Sequence, residues 1–185
     1  MTDAANEMTL RSRLRGDTMR MHIALDERVS AFDLACSDGL RAYLWMQAAG
    51  LVHVCSGPLS HPVHVMVDDL LLRAKSDLAA LEAPDLPHAN PHNLDQLATA
   101  YVLCGSRLGN SILKRRWQSG AVGRPEAYFS APSYIELWRA FVAEASAQPA
   151  FGHHADRVVT DANALFGTFL SLAEDAARHR VKAHV

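Results

Sequence analysis

The chain has 185 residues and a formal net charge of −2, with 49% hydrophobic and 21% charged residues. A chain of this length is long enough for one domain with a substantial core. The absence of a basic excess argues against a nucleic-acid partner. The longest apolar run, residues 63–72, is interrupted by a histidine and two aspartates. It therefore falls short of the roughly 18–20 apolar residues that a membrane span requires.

The N-terminus and the cysteines indicate the compartment. Residues 1–15 begin with acidic residues and contain no apolar stretch, so we expect no secretory signal. The three cysteines, Cys36, Cys55 and Cys104, are odd in number and form no C-x-x-C motif. This pattern is typical of reduced thiols, and it predicts a cytoplasmic protein.

Helical periodicity runs along the chain, and we find no period-2 strand pattern and no internal repeat. Ser37 or Asp38 is the expected cap of the second helix and Asn93 that of the fourth, while Glu136 occupies a capping-box position in the fifth. The predicted helices cover residues 9–29, 37–51, 62–82 and 93–117, a fifth begins at Ser133, and the last covers 154–180. The pattern predicts an all-α single domain over residues 9–181, with a flexible N-terminus at 1–8 and a tail at 182–185.

The first helix carries a stripe of polar residues. Its members are spaced four, three, four and four positions apart, which places them on one helix face; they are Arg11, Arg15, Thr18, His22 and Asp26. A carboxylate one turn after a histidine can hold one imidazole nitrogen and make the other a better metal ligand. The arginines could neutralise an anionic group of the same ligand. The stripe predicts a ligand-binding histidine at His22.

A second motif lies in the fourth helix, where residues 101–113 read YVLCGSRLGNSIL. Gly105 and Gly109 are four residues apart, so both project from one helix face. Each glycine inside a helix costs about 0.5–1 kcal/mol relative to alanine, so two at this spacing suggest a function. A face without side chains lets a flat ligand approach, and the glycines also permit a kink.

Together these segments resemble bacterial haem oxygenases. The first helix is similar to the family's proximal helix, with its L-R/K-x-x-T-x-x-x-H pattern and an acidic residue four positions later. The second motif is similar to the distal helix, which reads Y-V-x-x-G-S-x-L-G. A third segment, residues 161–169, resembles the segment that closes the haem pocket. The resemblance extends over residues 9 to 175 and implies a haem oxygenase-like helical bundle.

The resemblance implies a set of haem-binding residues. His22 would be the axial ligand of the haem iron, Asp26 would orient it, and Phe166 would line the pocket. Arg15 takes the position of the basic residue that pairs with a haem propionate, through a charge-assisted hydrogen bond. Further propionate candidates are Lys114–Arg116, Arg178 and Arg180.

The resemblance also implies a set of distal residues. Gly105, Ser106 and Gly109 would border the oxygen-binding face. Mammalian-type members have an aspartate at the position of Ser106, whereas related bacterial members share the serine. Cys104 and Asn110 also differ from common family residues. We interpret the cysteine as a small buried apolar residue.

The implied reaction is the cleavage of haem by oxygen to biliverdin, carbon monoxide and ferrous iron, with haem as both cofactor and substrate. The chain has neither a glycine-rich nucleotide motif nor iron–sulfur cysteine spacing. An external electron donor, such as a ferredoxin or a reductase, is therefore expected. A bacteriophytochrome is a possible recipient of the biliverdin.

Three alternatives remain open at this point. The chain could bind haem without degrading it, as a sensor, carrier or storage protein of the same fold. It could be a fold relative that binds no haem, such as a thiaminase-like protein or a non-haem oxidase. A non-haem metal could be held by imidazole and carboxylate groups, although the E-x-x-H motifs of di-iron bundles are absent. The candidate ligands are His61, His64, Asp68, His153 and His154.

Overall fold

Helices are the main elements of the described residues, as the periodicity predicts. The structure is a computed structural model that describes residues 8–88, 92–120 and 123–182, with side chains up to residue 178. The helices are α1 (Leu10–Asp17), α2 (Met19–Ser30), α3 (Ser37–Cys55), α4 (His61–Ala80), α5 (Gln96–Ser106), α6 (Asn110–Gln118), α7 (Ile135–Ser146) and α8 (His153–Lys182), and a 3₁₀ turn, Arg107–Gly109, joins α5 to α6. The described residues contain no β-strand, so the all-α single domain is confirmed.

Helix α3 is the centre of the core. It packs against α4 on one side and α8 on another, and α5 lies against α7 and α8. A helix that is apolar on most of its surface is buried, and twelve of the nineteen residues of α3 are buried. Its fully buried side chains include Leu40, Tyr43, Leu44, Met46 and Val54.

The first predicted helix is interrupted at Thr18, which separates α1 from α2. The Thr18 side chain is fully buried, and its Oγ1 donates to the carbonyl oxygen of Leu14 at 2.7 Å. Such back-bonding by threonine competes with regular helix geometry. The five residues of the expected polar stripe therefore do not share one surface. Thr18 faces the core, while Arg15 and His22 are exposed.

The fourth predicted helix is interrupted at its glycine pair. The 3₁₀ turn at Arg107–Gly109 separates α5 from α6, and such turns inside a helix often mark a hinge or a functional segment. The helix begins later than expected. Asp95 caps it by accepting from the Leu97 amide at 2.8 Å, so the prediction of Asn93 as the cap is wrong.

Two other helix starts differ from the predicted ones. Cys36 caps α3, since its Sγ accepts from the Gly39 amide, and neither of the two following residues does so. Tyr134, in the left-handed region with φ of +54°, precedes α7. Glu136 makes no capping hydrogen bond and pairs instead with Arg139. The predicted capping box is therefore not formed, and Glu136 forms an ion pair with Arg139 one turn later.

The ends of the chain bear on the remaining expectations. The flexible N-terminus and the C-terminal tail lie outside the described residues, apart from Met8 and Lys182. Across the described residues, none of the helices combines the length and the hydropathy that crossing a bilayer requires.

Candidate functional site

Helices α2 and α6 expose some of their apolar side chains and pack the others, half-buried, against the core. Neither α2 nor α6 contains a fully buried residue. On α2, Met19 is 40% exposed and Ile23 is 49% exposed. Leu108, in the 3₁₀ turn, and Ile112, on α6, are 47% and 60% exposed. Exposed apolar residues that recur one turn apart on two helices are typical of a binding surface.

Helix α2 is tied to the α5–α6 segment at two places. Near the start of α2, the Thr18 hydroxyl lies 3.1 Å from the Tyr101 hydroxyl. At its end, Arg116 Nη2 donates to the carbonyl oxygen of Ser30 at 2.9 Å. The ties are separated by about 18 Å along α2 and about 22 Å along the α5–α6 segment. The two segments therefore run side by side in the same direction, and we call the surface between the ties the cleft.

His22 lies on α2, about one third of the way along the cleft from Thr18 to Ser30. Its side chain is 52% exposed, and its Nε2 is 3.5 Å from Asp26 Oδ2, so the predicted histidine–carboxylate pair is present. The other ring nitrogen, Nδ1, has no hydrogen-bond partner among the described residues. A carboxylate is therefore close enough to hold one nitrogen of His22 when a ligand binds the other.

Phe166 forms a floor beneath His22. The two ring centroids are 5.6 Å apart, although 144 positions separate the residues in the chain. Phe166 belongs to the buried face of α8 that the sequence predicts, together with Ala162, Leu165 and Phe169. The structure therefore brings two of the predicted site residues into contact.

The two glycines of the second motif have different environments. A Cβ atom at Gly109 would meet no atom within 4 Å, whereas one at Gly105 would lie 3.3 Å from the Trp138 ring. Gly109 thus leaves open space, and Gly105 permits close packing of α5 on α7. The Ser106 hydroxyl is at the surface and donates to the Leu103 carbonyl oxygen at 2.7 Å. Only Gly109 matches the expected open face.

Charge around the cleft differs from that of the whole chain. Residues 10–30 contain five arginines and three acidic residues, and residues 110–118 contain three basic residues and none that is acidic. The two segments have a net charge of +5, which falls to +3 when Asp156 and Glu174 of α8, the partners of Arg13 and Arg28, are included, against −2 for the whole chain. The cleft is therefore suited to an anionic ligand.

The individual basic residues are not equally available. Arg15 is exposed and makes no ion pair with a described residue. Arg116 is occupied by backbone carbonyls, and Arg178 pairs with Asp175. The side chain of Arg180 lies outside the described residues. Of the predicted propionate partners, Arg15 is the one on α1, directly before the cleft.

The interior side of the α5–α6 segment differs from its cleft side. Cys104 is buried, and burial raises the pKa of its thiol to about 11, which keeps it neutral, as expected of a small apolar residue. Arg107 is buried as well, over the ring of Tyr128, and its Nη1 donates to Asn110 Oδ1 at 3.4 Å. Its Nε and Nη2 have no hydrogen-bond partner among the described residues. The sequence offered no signal for this burial.

The non-haem metal candidates do not assemble in the described residues. His64 Nε2 lies 3.2 Å from Asp68 Oδ2 on α4, and His154 lies 3.6 Å from Asp95. Within the described ranges, no three histidine, cysteine or acidic side chains gather as metal ligands. These pairs are two separate surface contacts.

Comparisons with known proteins add no family assignment. No protein-family profile matches the chain, and no curated protein matches its sequence. The class defined by the structure is an all-α single-domain protein with a basic, apolar cleft that contains a histidine–aspartate pair.

Proposed function

We propose that this chain is a haem oxygenase-like protein that binds haem in the cleft. It cleaves the haem with oxygen to biliverdin, carbon monoxide and ferrous iron, using electrons from an external donor. One observation carries the proposal. An oriented imidazole, His22, stands on a helix with exposed apolar side chains, and the neighbouring helix segment has an open glycine, Gly109.

The chemistry of the cleft fits haem. Covering apolar surface is worth roughly 25 cal/mol per Å², and a flat macrocycle between the helices would cover four side chains that are now 40–60% exposed. An imidazole is a common axial ligand of haem iron. The local excess of basic residues suits the two propionates of the ligand. Apolar faces, an imidazole and cations are what haem requires of a protein.

Four residues would hold the group. His22 would supply the iron ligand, and Asp26 would fix the tautomer of its ring. Phe166 limits the movement of the imidazole from below, at 5.6 Å. Arg15, which makes no ion pair with the residues that the structure describes, would pair with a propionate.

The remaining roles concern water and electrons. Haem, when bound, supplies both the oxygen-activating iron and the carbon skeleton that is oxidised. Gly109 leaves room on the opposite face, and the apolar side chains limit the entry of bulk water. Ser106 Oγ donates to a backbone carbonyl, so its lone pairs can accept a hydrogen bond from a water molecule. The basic surface favours an acidic electron donor such as a ferredoxin, and a bacteriophytochrome is a suitable recipient of biliverdin.

Hemin titration followed by turnover in air tests this proposal. We expect a Soret band on addition of hemin and, with ascorbate or a ferredoxin system, conversion to a biliverdin spectrum. His22→Ala should lose turnover. His64→Ala is a matched control, because His64 is also half-exposed and pairs with an aspartate four residues later. Equal behaviour of the parent and of both variants would refute the assignment.

One observation favours a second function, haem binding without degradation. Residues 96–125, which include the whole α5–α6 segment, contain no aspartate or glutamate. No carboxylate on this segment can therefore organise water for proton delivery, and Ser106 is the replacement. A stable haem complex that yields no biliverdin under reducing conditions would support this carrier or sensor function over the oxygenase.

A further inference from the structure

We propose that Tyr101 is a positioning residue that fixes the orientation of His22 in the cleft. The role of His22 as an iron ligand rests on the proposed function, whereas the orientation itself is a property of the protein without a ligand. Tyr101 reaches His22 by two routes, one through a hydrogen bond to Thr18 and one through the ring of Phe166.

The direction of the hydrogen bond follows from the hydrogens available. The Thr18 hydroxyl has one hydrogen, which it donates to the Leu14 carbonyl oxygen at 2.7 Å. The contact of 3.1 Å between Thr18 Oγ1 and the Tyr101 hydroxyl must therefore be donated by the tyrosine. Because Thr18 is fully buried, losing this donor would leave a buried acceptor site without its partner.

The first route continues from Thr18 to His22 along the backbone. The Thr18 carbonyl oxygen accepts the His22 amide at 3.0 Å, so His22 lies one helical turn beyond the residue that Tyr101 holds. A rotation of α2 about its axis would break the hydrogen bond between Tyr101 and Thr18, and the same rotation would move the imidazole of His22.

The second route passes through aromatic rings. The Tyr101 ring meets the Phe166 ring edge-on at 6.2 Å, and Phe166 meets the His22 ring at 5.6 Å. Tyr101 is itself confined on its other side by Phe141 at 5.5 Å and Trp138 at 6.2 Å. The tyrosine is therefore a fixed point between the core and the exposed histidine.

Helix α2 packs against α8 and the core through half-buried residues, Met21, Leu25 and Val29. It buries no residue fully, and its far end is held through Arg116. The Tyr101 hydroxyl adds a directional contact at the start of the helix, which fixes its rotation more narrowly than apolar packing alone.

The first experiment uses the protein without haem. We would measure the nuclear Overhauser effect between the His22 and Phe166 rings in the parent, Tyr101→Phe and Tyr134→Phe. The Tyr134 hydroxyl bonds to Asp69 on α4, so its removal is a matched control. We expect the ring contact to weaken in Tyr101→Phe alone. Unchanged ring contacts in Tyr101→Phe would overturn the proposal.

The second experiment uses Thr18 and hemin. Thr18→Val should reproduce the effect of Tyr101→Phe, and Thr18→Ser, which keeps the hydroxyl, should restore the ring contact. With hemin, Tyr101→Phe should lower the affinity by about three- to tenfold, the size of one hydrogen bond, and broaden the axial-histidine spectrum. A Thr18→Val/Tyr101→Phe double variant should be no worse than either single variant; additive losses would contradict the shared contact. If the hemin complex of His22→Ala shows the histidine-ligated spectrum of the parent, the proposed function fails, while the ring-contact result stands independently.

Discussion

Helices α2 and α4 contain the same histidine–aspartate pair in different surroundings. His22 and Asp26 are 3.5 Å apart with side chains 52% and 66% exposed, and His64 and Asp68 are 3.2 Å apart and 48% and 59% exposed. Helix α4 buries seven residues, most of them apolar, whereas α2 buries none and has an aromatic ring beneath its histidine. The pair alone is ordinary helix chemistry, and α4 also exposes apolar side chains, Val65 and Leu72. The aromatic ring beneath the histidine and the open glycine on the neighbouring segment make α2 the candidate site.

The largest effect should come from filling the open face at Gly109. We expect Gly109→Leu to prevent hemin binding, since its side chain would extend into space that is empty. The melting temperature without haem should stay the same or rise, because leucine is the better helix former.

Gly105→Leu provides the contrast to that variant. Its Cβ would lie 3.3 Å from Trp138, so overpacking should lower the free energy of unfolding by about 1–3 kcal/mol. Thermal denaturation of both variants without haem, followed by hemin titration, measures the two effects. If Gly109→Leu binds hemin as the parent does, the cleft is not the haem site.

A charge within the apolar cleft should have the next largest effect. Ile112→Lys replaces a side chain that is 60% exposed and that the ligand would cover, so hemin affinity should fall about tenfold or more. Leu72→Lys, on α4, is the control, since Leu72 is 71% exposed and distant in sequence from the proposed site. Equal losses of hemin affinity in Ile112→Lys and Leu72→Lys would show that the cleft contributes no more to hemin binding than the exposed surface of α4.

Reversal of the charge at Arg15 should have a smaller effect. Arg15→Glu removes a propionate partner and adds repulsion, and exposed pairs contribute about 0.2–1 kcal/mol. We therefore expect hemin affinity to fall by up to about fivefold at low salt, with a smaller loss at high salt. Arg20 is also exposed, on α2. Arg20→Glu is therefore the control that measures the general effect of reversing one positive charge. Identical affinities of parent and Arg15→Glu at both salt concentrations would exclude the propionate contact.

The smallest effect concerns a third histidine pair, which differs from both surface pairs. His53 and His92 stack at 4.4 Å, and burial, together with the charge of His92, lowers the pKa of His53. The unfolded chain then binds more protons than the folded one below the ordinary histidine pKa of about 6.5. The contribution of His53 to the free energy of unfolding should be fully present above the ordinary histidine pKa. It should decrease as the pH falls from that value to the lowered pKa of His53 in the folded protein.

Denaturant unfolding between pH 7.5 and pH 5 measures this dependence. His53→Phe, which keeps an aromatic ring on the stack, should flatten the curve, whereas His64→Ala should leave its slope nearly unchanged. If His64→Ala flattened the curve and His53→Phe did not, the exposed His64–Asp68 pair, and not the stacked His53–His92 pair, would control the acid sensitivity.

The sequence predicted the features that depend on local periodicity. The helices, the pairing of His22 with Asp26 and an irregularity at the glycines all arise from residues within a few turns of one another. The contact between Thr18 and Tyr101 could not be predicted, since 83 residues separate the two. The packing role of Gly105 similarly depends on a tryptophan from another helix.

The burial of two aromatic residues between α6 and α7 also depends on residues distant in the sequence. Tyr128 and Phe129 of this segment are fully buried. Asp77 of α4 accepts from the Ala127 and Tyr128 amides at 3.0 and 2.9 Å, which compensates the backbone groups of this segment for the loss of water. A carboxylate fifty residues away makes the burial possible, and no local pattern records it.

The most direct test of the account is imidazole rescue of His22→Ala. The spectrum of the hemin complex would be recorded for the parent, for His22→Ala and for His64→Ala, before and after addition of free imidazole. We predict that His22→Ala loses the histidine-ligated spectrum and regains it with imidazole, while His64→Ala matches the parent throughout. A His22→Ala complex that shows the parent spectrum without imidazole would contradict the central claim that His22 binds the haem iron.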